Sequence, residues 1–247
     1  TKREVRLTEA GKRVVNEAYQ VLARVEYFSK VATQAGTGEI GNLSVGVPGG
    51  VNDILVETQR FLGKKYPGVR IELQYMSTGT QIDALREGRI GVGFLNLPVN
   101  EPALALERIT KEPLWLALPK EHPLVRYKRV PLSAIAEEKM ILFPRRVTPG
   151  LHDAITGMCR NEGFTLNVVH EVDSIVGGLT HVSANLGIAF CTPSIKRLWP
   201  DIAFRPIQGT AYIEQAVGYL RDAKSPVLET FLRVARRAAR KRSGNET

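Results

Sequence analysis

Leu7-Thr8-Glu9-Ala10-Gly11 opens a helical pattern, with Thr8 as a cap and Glu9 at the positive end of the helix dipole. Apolar residues then fall at Val14, Ala18, Val21, Val25, Phe28 and Ala32. Steps alternating between four and three residues form the seam of a coiled coil, so this stripe asks for a partner helix rather than its own domain. A Gly-rich break, Gly36-Thr37-Gly38-Glu39-Ile40-Gly41, follows and reads as a hinge.

Beyond residue 41 the period changes. Leu43–Val47 is a short strand broken by Pro48-Gly49-Gly50, and Asn52 or Asp53 caps a helix carrying Ile54, Leu55, Phe61 and Leu62. Val69, Ile71, Leu73 and Tyr75 alternate with polar residues as in a half-buried strand. Ser77-Thr78-Gly79-Thr80 leads into a helix stopped by Gly88, and Ile90–Leu95 is a third strand. Strands separated by helices predict parallel βαβ units with right-handed crossovers. The grammar then repeats. Trp115–Leu118, Met140–Phe143, Val168–Val172, Ile188–Cys191, Ile202–Arg205 and Ala216–Leu220 read as strands. His152–Glu162 and Ser174–Asn185 read as helices, the second ended by Gly187, with a short one at Ser194–Leu198. Ser225-Pro226 starts an amphipathic terminal helix through Val227, Leu228, Phe231, Leu232, Ala235 and Ala238. The prediction is an α/β chain of two βαβ subdomains around a cleft, preceded by a long helix. The predicted divisions are 1–35 for the helix, 36–41 for the hinge, 42–112 plus 213–247 for the first subdomain and 113–212 for the second.

Charge matters once it is located. The net +9 is concentrated at the ends: residues 1–30 hold seven basic and four acidic residues, and residues 224–247 hold seven and two. A basic end can grip a phosphate backbone, although a solvated helix face explains the C-terminal run as simply. No window reaches the apolar length of a membrane span, and Thr1–Gly11 shows no apolar signal segment, so a cytoplasmic protein without a membrane partner is expected. Cys159 and Cys191 form no metal or disulfide framework. His122, His152, His170 and His181 lie in separate segments, and no P-loop, G-x-G-x-x-G after a strand or G-x-S-x-G occurs. No enzyme, metal or cofactor is expected.

Ligands of open α/β sheets sit beyond the carboxyl ends of strands, beside helix N-termini whose free N–H groups attract anions. Four segments qualify. Gly49, Gly50 and Asn52 follow the first strand, and Ser77, Thr78 and Thr80 the second. Pro149, Gly150 and Leu151 follow the Met140–Phe143 strand, with Arg145 and Arg146 as possible counter-charges, and Thr192-Pro193-Ser194 follows Ile188–Cys191. Each has a plainer role open to it: the hydroxyls as caps, the arginines as solvated charges, Leu151 as core.

The opening Val5-Arg6-Leu7-Thr8-Glu9-Ala10-Gly11 and the later Gly38-Glu39-Ile40-Gly41-Asn42-Leu43-Ser44-Val45-Gly46 together resemble the LysR-type transcriptional regulators. Tyr66-Pro67, Ala84-Leu85-Arg86-Glu87-Gly88-Arg89-Ile90-Gly91-Val92-Gly93-Phe94, Leu186-Gly187-Ile188-Ala189 and Pro193-Ser194 follow in order, so the resemblance spans the chain. Gly91-Val92-Gly93-Phe94 and Trp199-Pro200-Asp201-Ile202-Ala203-Phe204 look most like regulators of aromatic catabolism. The resemblance implies a fold similar to type 2 periplasmic binding proteins and a small organic acid, aromatic or dicarboxylic, held between the lobes near Thr78 and Pro149 to Leu151. It further implies a linker helix that pairs subunits into a homodimer or homotetramer, and promoter DNA as a partner through a winged helix-turn-helix of which Thr1 begins only the end. Where relatives often carry a hydroxyl residue, this chain has Gly50, which leaves the effector's identity open. A free-standing solute-binding protein, or an enzyme on a similar two-lobed fold, are the competing expectations.

Overall fold

A computed structural model describes residues 8–48, 52–209 and 212–243. The wing end expected before Thr8, and the expected ligand residues Gly49 and Gly50, lie outside the described residues. α1 (Glu9–Gly36) leads into β1 (Ile40–Val47), α2 (Asp53–Lys65), β2 (Gly68–Tyr75), α3 (Thr78–Arg86), β3 (Val92–Asn96) and β4 (Leu104–Pro113). β5 (Trp115–Pro119), β6 (Lys139–Leu142), α4 (Pro149–Asn161), β7 (Asn167–Glu171), α5 (Ile175–Ser183), β8 (Ile188–Cys191) and β9 (Ile202–Pro206) follow. β10 (Tyr212–Leu220) and α6 (Pro226–Ser243) close the chain.

The strands form two five-stranded sheets, ordered β2-β1-β3-β10-β4 and β7-β6-β8-β5-β9. In the first, β1 is parallel to β2 and β3, while β10 runs antiparallel to β3 and β4. In the second, β6 is parallel to β7 and β8, and β5 runs antiparallel to β8 and β9. The chain crosses between sheets twice, after β4 and again before β10. Central parallel strands are covered on both faces, which is why Val92–Leu95 and Ile188–Cys191 are apolar without interruption. The first lobe's core gathers Val45, Leu62 and Phe94 around α6, whose Phe231 meets Phe94 edge-on at 6.4 Å. The second lobe has a core on each face of its sheet, one around Met140 and Ile155 and one around Leu179 and Phe204.

Three local expectations need correction. β4 was absent from the periodic reading, because half its positions are only partly covered on this sheet edge and Glu107, Arg108 and Lys111 interrupt the apolar run. α5 ends at Ser183, earlier than expected, and Asn185 rather than Gly187 takes the left-handed conformation beyond it (φ 60°). The Gly-rich break is no slack linker. α1 runs through Gly36 with Thr37 as its C-cap, and a Cβ on Gly38 (φ +69°) would stand 2.2 Å from the Pro226 carbonyl oxygen. Only glycine allows that approach, so the turn is seated on the first residue of α6.

Three of the seven basic residues of the C-terminal run pair with acids of their own lobe. Arg236 pairs with Glu107, Lys241 with Glu57, and Arg242 with Glu112. Hydrogen bonds from Arg236 and Tyr219 hold the Glu107 carboxyl below its ordinary range despite partial burial.

Candidate functional site

The carboxyl ends of the parallel strands in both sheets face one cleft. Four helices begin there, α2, α3 and α5 with side-chain caps: Asn52 accepts from Leu55 N at 3.0 Å, Ser77 from Thr80 N at 3.1 Å and Ser174 from Gly177 N at 3.1 Å. α4 begins at Pro149, three residues before the expected start, and its N-cap Thr148 makes no side-chain cap bond.

Between the sheets lies a cavity of about 120 Å³. Its second-lobe wall is mainly apolar, with Ile141, Leu142 and Phe143 from β6 and the residue after it, Leu151 and Ile155 from α4, and Phe190 and Cys191 from β8, and with Thr192 and Ser194 as its polar members. Its first-lobe wall is polar. Asn52 Nδ2 donates to Gln215 Oε1 at 3.1 Å, and Gln215 Nε2 donates to Asn96 Oδ1 at 2.9 Å. Next to this ledge Arg242 Nη2 donates to Glu112 Oε1 at 2.8 Å, and Glu112 Oε2 accepts from Ser194 N at 3.4 Å across the cleft. Burial, reinforced by the Glu112 charge, pushes the Cys191 thiol far up, so it forms part of the apolar wall rather than a nucleophile. Burial likewise pushes Cys159 up to about 11. Concave, mainly apolar walls with a few convergent polar groups are the usual form of a small-molecule site.

The expected site residues separate into two groups. Asn52, Leu151, Thr192 and Ser194 line the cavity. Ser77 and Thr80 do not: their hydroxyls pair at 2.9 Å at the start of α3, beside a shallower groove shared with Arg146 and Asp173. Thr78 is buried, and its Oγ1 accepts from Asn96 N at 3.2 Å, which ties α3 to the end of β3. Gly150 allows close packing across the cleft, because a Cβ there would stand 2.2 Å from the Pro98 carbonyl oxygen. Pro149 fills the first turn of α4 outside the cavity lining. Arg145, with a side chain 69% exposed, is held by Asp153 through bonds of 2.8 and 3.1 Å and does not reach the cavity. The solvated-charge reading describes it, since its partner Asp153 lies on α4 and both side chains are exposed.

Sequence reasoning missed Asn96, Glu112, Gln215 and Arg242. Their separations, 119 residues for Asn96 to Gln215 and 130 for Glu112 to Arg242, carry no local pattern. The one available signal was the uncompensated polarity of Glu112 and Gln215 in strands that cross between lobes.

The family model described as LysR substrate binding domain matches residues 36–240. The chain belongs to the LysR family of transcriptional regulators. Among its relatives, the HTH-type transcriptional regulator AlsR of Bacillus subtilis is 30% identical over 238 residues, 95% of this chain and 79% of that protein. A crystal structure of CbnR, a LysR family transcriptional regulator, is 25% identical with a TM-score of 0.82, covering 96% of this chain and 83% of that one. The BenM effector-binding domain, solved with its effector benzoate, is 24% identical with a TM-score of 0.69 over 82% of this chain and 93% of that one. The two five-stranded sheets are thus the effector-binding fold of LysR regulators, of the type 2 periplasmic-binding-protein kind. LysR proteins regulate transcription and are not enzymes, so the enzyme and free-standing transport readings fall. Among the described residues no helix is long and apolar enough to cross a membrane.

Proposed function

We propose that this LysR regulator senses a small organic acid, aromatic or dicarboxylic, in the cavity between its two lobes. The observation that carries the reading is the cavity's asymmetry, a mainly apolar wall from the second lobe opposite the Asn52–Gln215–Asn96 ledge and Arg242 of the first. A flat apolar body fits between Phe143, Leu151, Ile155 and Ile195, and a carboxylate turns toward the ledge. The benzoate of the BenM structure has this chemistry. Ser77, Thr78, Thr80, Pro149 and Gly150 then shape the cleft by capping and close packing, whereas Asn52 and Leu151 touch the ligand. A ligand held by both lobes favours one lobe arrangement only through its differential affinity, and that bias is what reaches the promoter-bound subunits. α1 supplies the subunit pairing, since its apolar stripe is exposed on this chain alone. No cofactor enters this scheme.

A thermal-shift panel of benzoates, salicylates and muconates tests the proposal. A true effector at about 100 times its Kd adds roughly 2.7 kcal/mol of stability. Ile195→Trp, which fills the cavity, abolishes that shift. A panel without any shift, or a shift that survives in a folded Ile195→Trp protein, refutes the cavity assignment.

A further inference from the structure

The first-lobe ledge is made of three amides, and one backbone donor fixes the orientation of all of them. Leu55 N can only donate, so the Asn52 atom that caps α2 at 3.0 Å is the oxygen, Oδ1. Nδ2 must then face Gln215, where it donates to Oε1 at 3.1 Å. This leaves Gln215 Nε2 toward Asn96, and it donates to Oδ1 at 2.9 Å. Gln215 stands opposite Asn96 in the β10–β3 ladder, so the two side chains share a face. The Asn96 backbone is held separately, its N–H donating to Thr78 Oγ1 at 3.2 Å. The relay ends at Asn96 Nδ2. Among the described residues this amino group has no partner, and Asn96 lines the cavity.

We propose that Asn96 Nδ2 receives the ligand's carboxylate, and that the α2 cap, acting through Gln215, holds this amide with its donors toward the cavity. This rests on the carboxylate-sensing reading above. In the relay Asn52 and Gln215 are positioning residues. Each of the three side-chain oxygens already accepts a hydrogen bond, whereas Asn96 Nδ2 has both hydrogens to give. The ledge therefore offers donors. A ligand whose polar end accepts is paired there. One whose polar end only donates sets two amino groups against each other, and the unpaired groups cost affinity. Because the amide is neutral, an uncharged acceptor on the same apolar body is also recognised, though less tightly than a carboxylate. The site selects the sense of the hydrogen bond before it selects charge.

The test is titration calorimetry of the whole chain with benzoate, acetophenone and aniline. These share a ring, and their polar ends accept as an anion, accept as a neutral group and chiefly donate. Wild type is expected to rank them in that order. Asn96→Asp keeps the acceptor for Gln215 Nε2 and puts an oxygen of similar size where the amino group stood. It should invert the acetophenone-to-aniline preference, each ligand moving by roughly tenfold. Asn52→Asp still caps α2 but offers only acceptors, so Gln215 and then Asn96 must turn over. The same preference should fall by about threefold, with no change at the residue that touches the ligand. Gln215→Met cuts the relay, and in that background Asn52→Asp should leave the preference unmoved. No shift in Asn52→Asp, or an equal shift with and without Gln215, overturns the relay. A preference unmoved by Asn96→Asp, with benzoate still bound, removes Asn96 from the site and leaves the sensing reading intact. If wild type binds neither benzoate nor muconate, the sensing reading fails and takes this proposal with it.

Discussion

α1 and α6 are the two longest helices of the chain, both amphipathic, and their apolar faces have opposite fates. α6 buries Val227, Leu228, Phe231, Leu232, Val234, Ala235 and Ala238 against the first sheet and α2. α1, at 28 residues, has no buried residue at all, and its Val14 and Phe28 are 68% and 69% exposed. The difference lies in stripe width and neighbourhood. The α6 face is broad, including adjacent pairs such as Leu228 with Val227 and Phe231 with Leu232, and it covers a sheet. The α1 stripe is the narrow seam that fits another helix. Helices in proteins draw most of their stability from packing an apolar face, and α1 packs none of its own on this chain, so its cover must come from elsewhere.

The largest effect should come from the buried member. Phe231 is fully enclosed and packs on Phe94. Phe231→Ala leaves a cavity in the first lobe and is expected to cost about 3–5 kcal/mol of stability by chemical denaturation. A loss below about 1 kcal/mol would mean that α6 is not the first lobe's keystone. The next effect sits at the joint of the two helices. Gly38→Ala must accept a left-handed backbone and a Cβ against the Pro226 carbonyl, at an expected cost of about 1–3 kcal/mol. An unchanged melting temperature would show that α1 leaves the lobe freely and that the turn is not seated on α6.

Much of the fold was legible because its signals are local. The caps Thr8, Asn52 and Ser77 do what their positions predict, and the strand Ile188–Cys191 was bounded to the residue. β4 was not legible, because an edge strand with charged positions lacks the alternation that marks a half-buried one. The location of the cleft followed from the βαβ grammar, as did Asn52 and Leu151 on its wall. Its charged pair did not, since only the three-dimensional crossing of β4 beneath the end of α6 brings Glu112 to Arg242. Arg145 shows the converse: a charge in the right loop whose nearest acid, Asp153, removes it from the site. Helix stripes are intermediate, since periodicity marks a buried face without saying which molecule supplies the cover.

The smallest expected effect on this fold is also the most telling for α1. Val21 and Val25 are exposed on the isolated chain, so Val21→Glu with Val25→Glu removes no packing from either lobe. Surface changes of this kind usually alter intrinsic stability by no more than about 0.5 kcal/mol. Their influence should fall on assembly. Two carboxylates facing their counterparts across a paired seam introduce unpaired charge where apolar contact would stabilise the partners. Sedimentation should therefore find wild type self-associated and the double variant monomeric at the same concentration, with denaturation of the lobes otherwise unchanged. If the variant's lobes unfold with α1, the helix belongs to its own domain as α6 does, and the contrast between the two helices disappears. If the variant associates as wild type does, the exposed stripe serves no subunit contact, and pairing must use another face of the lobes.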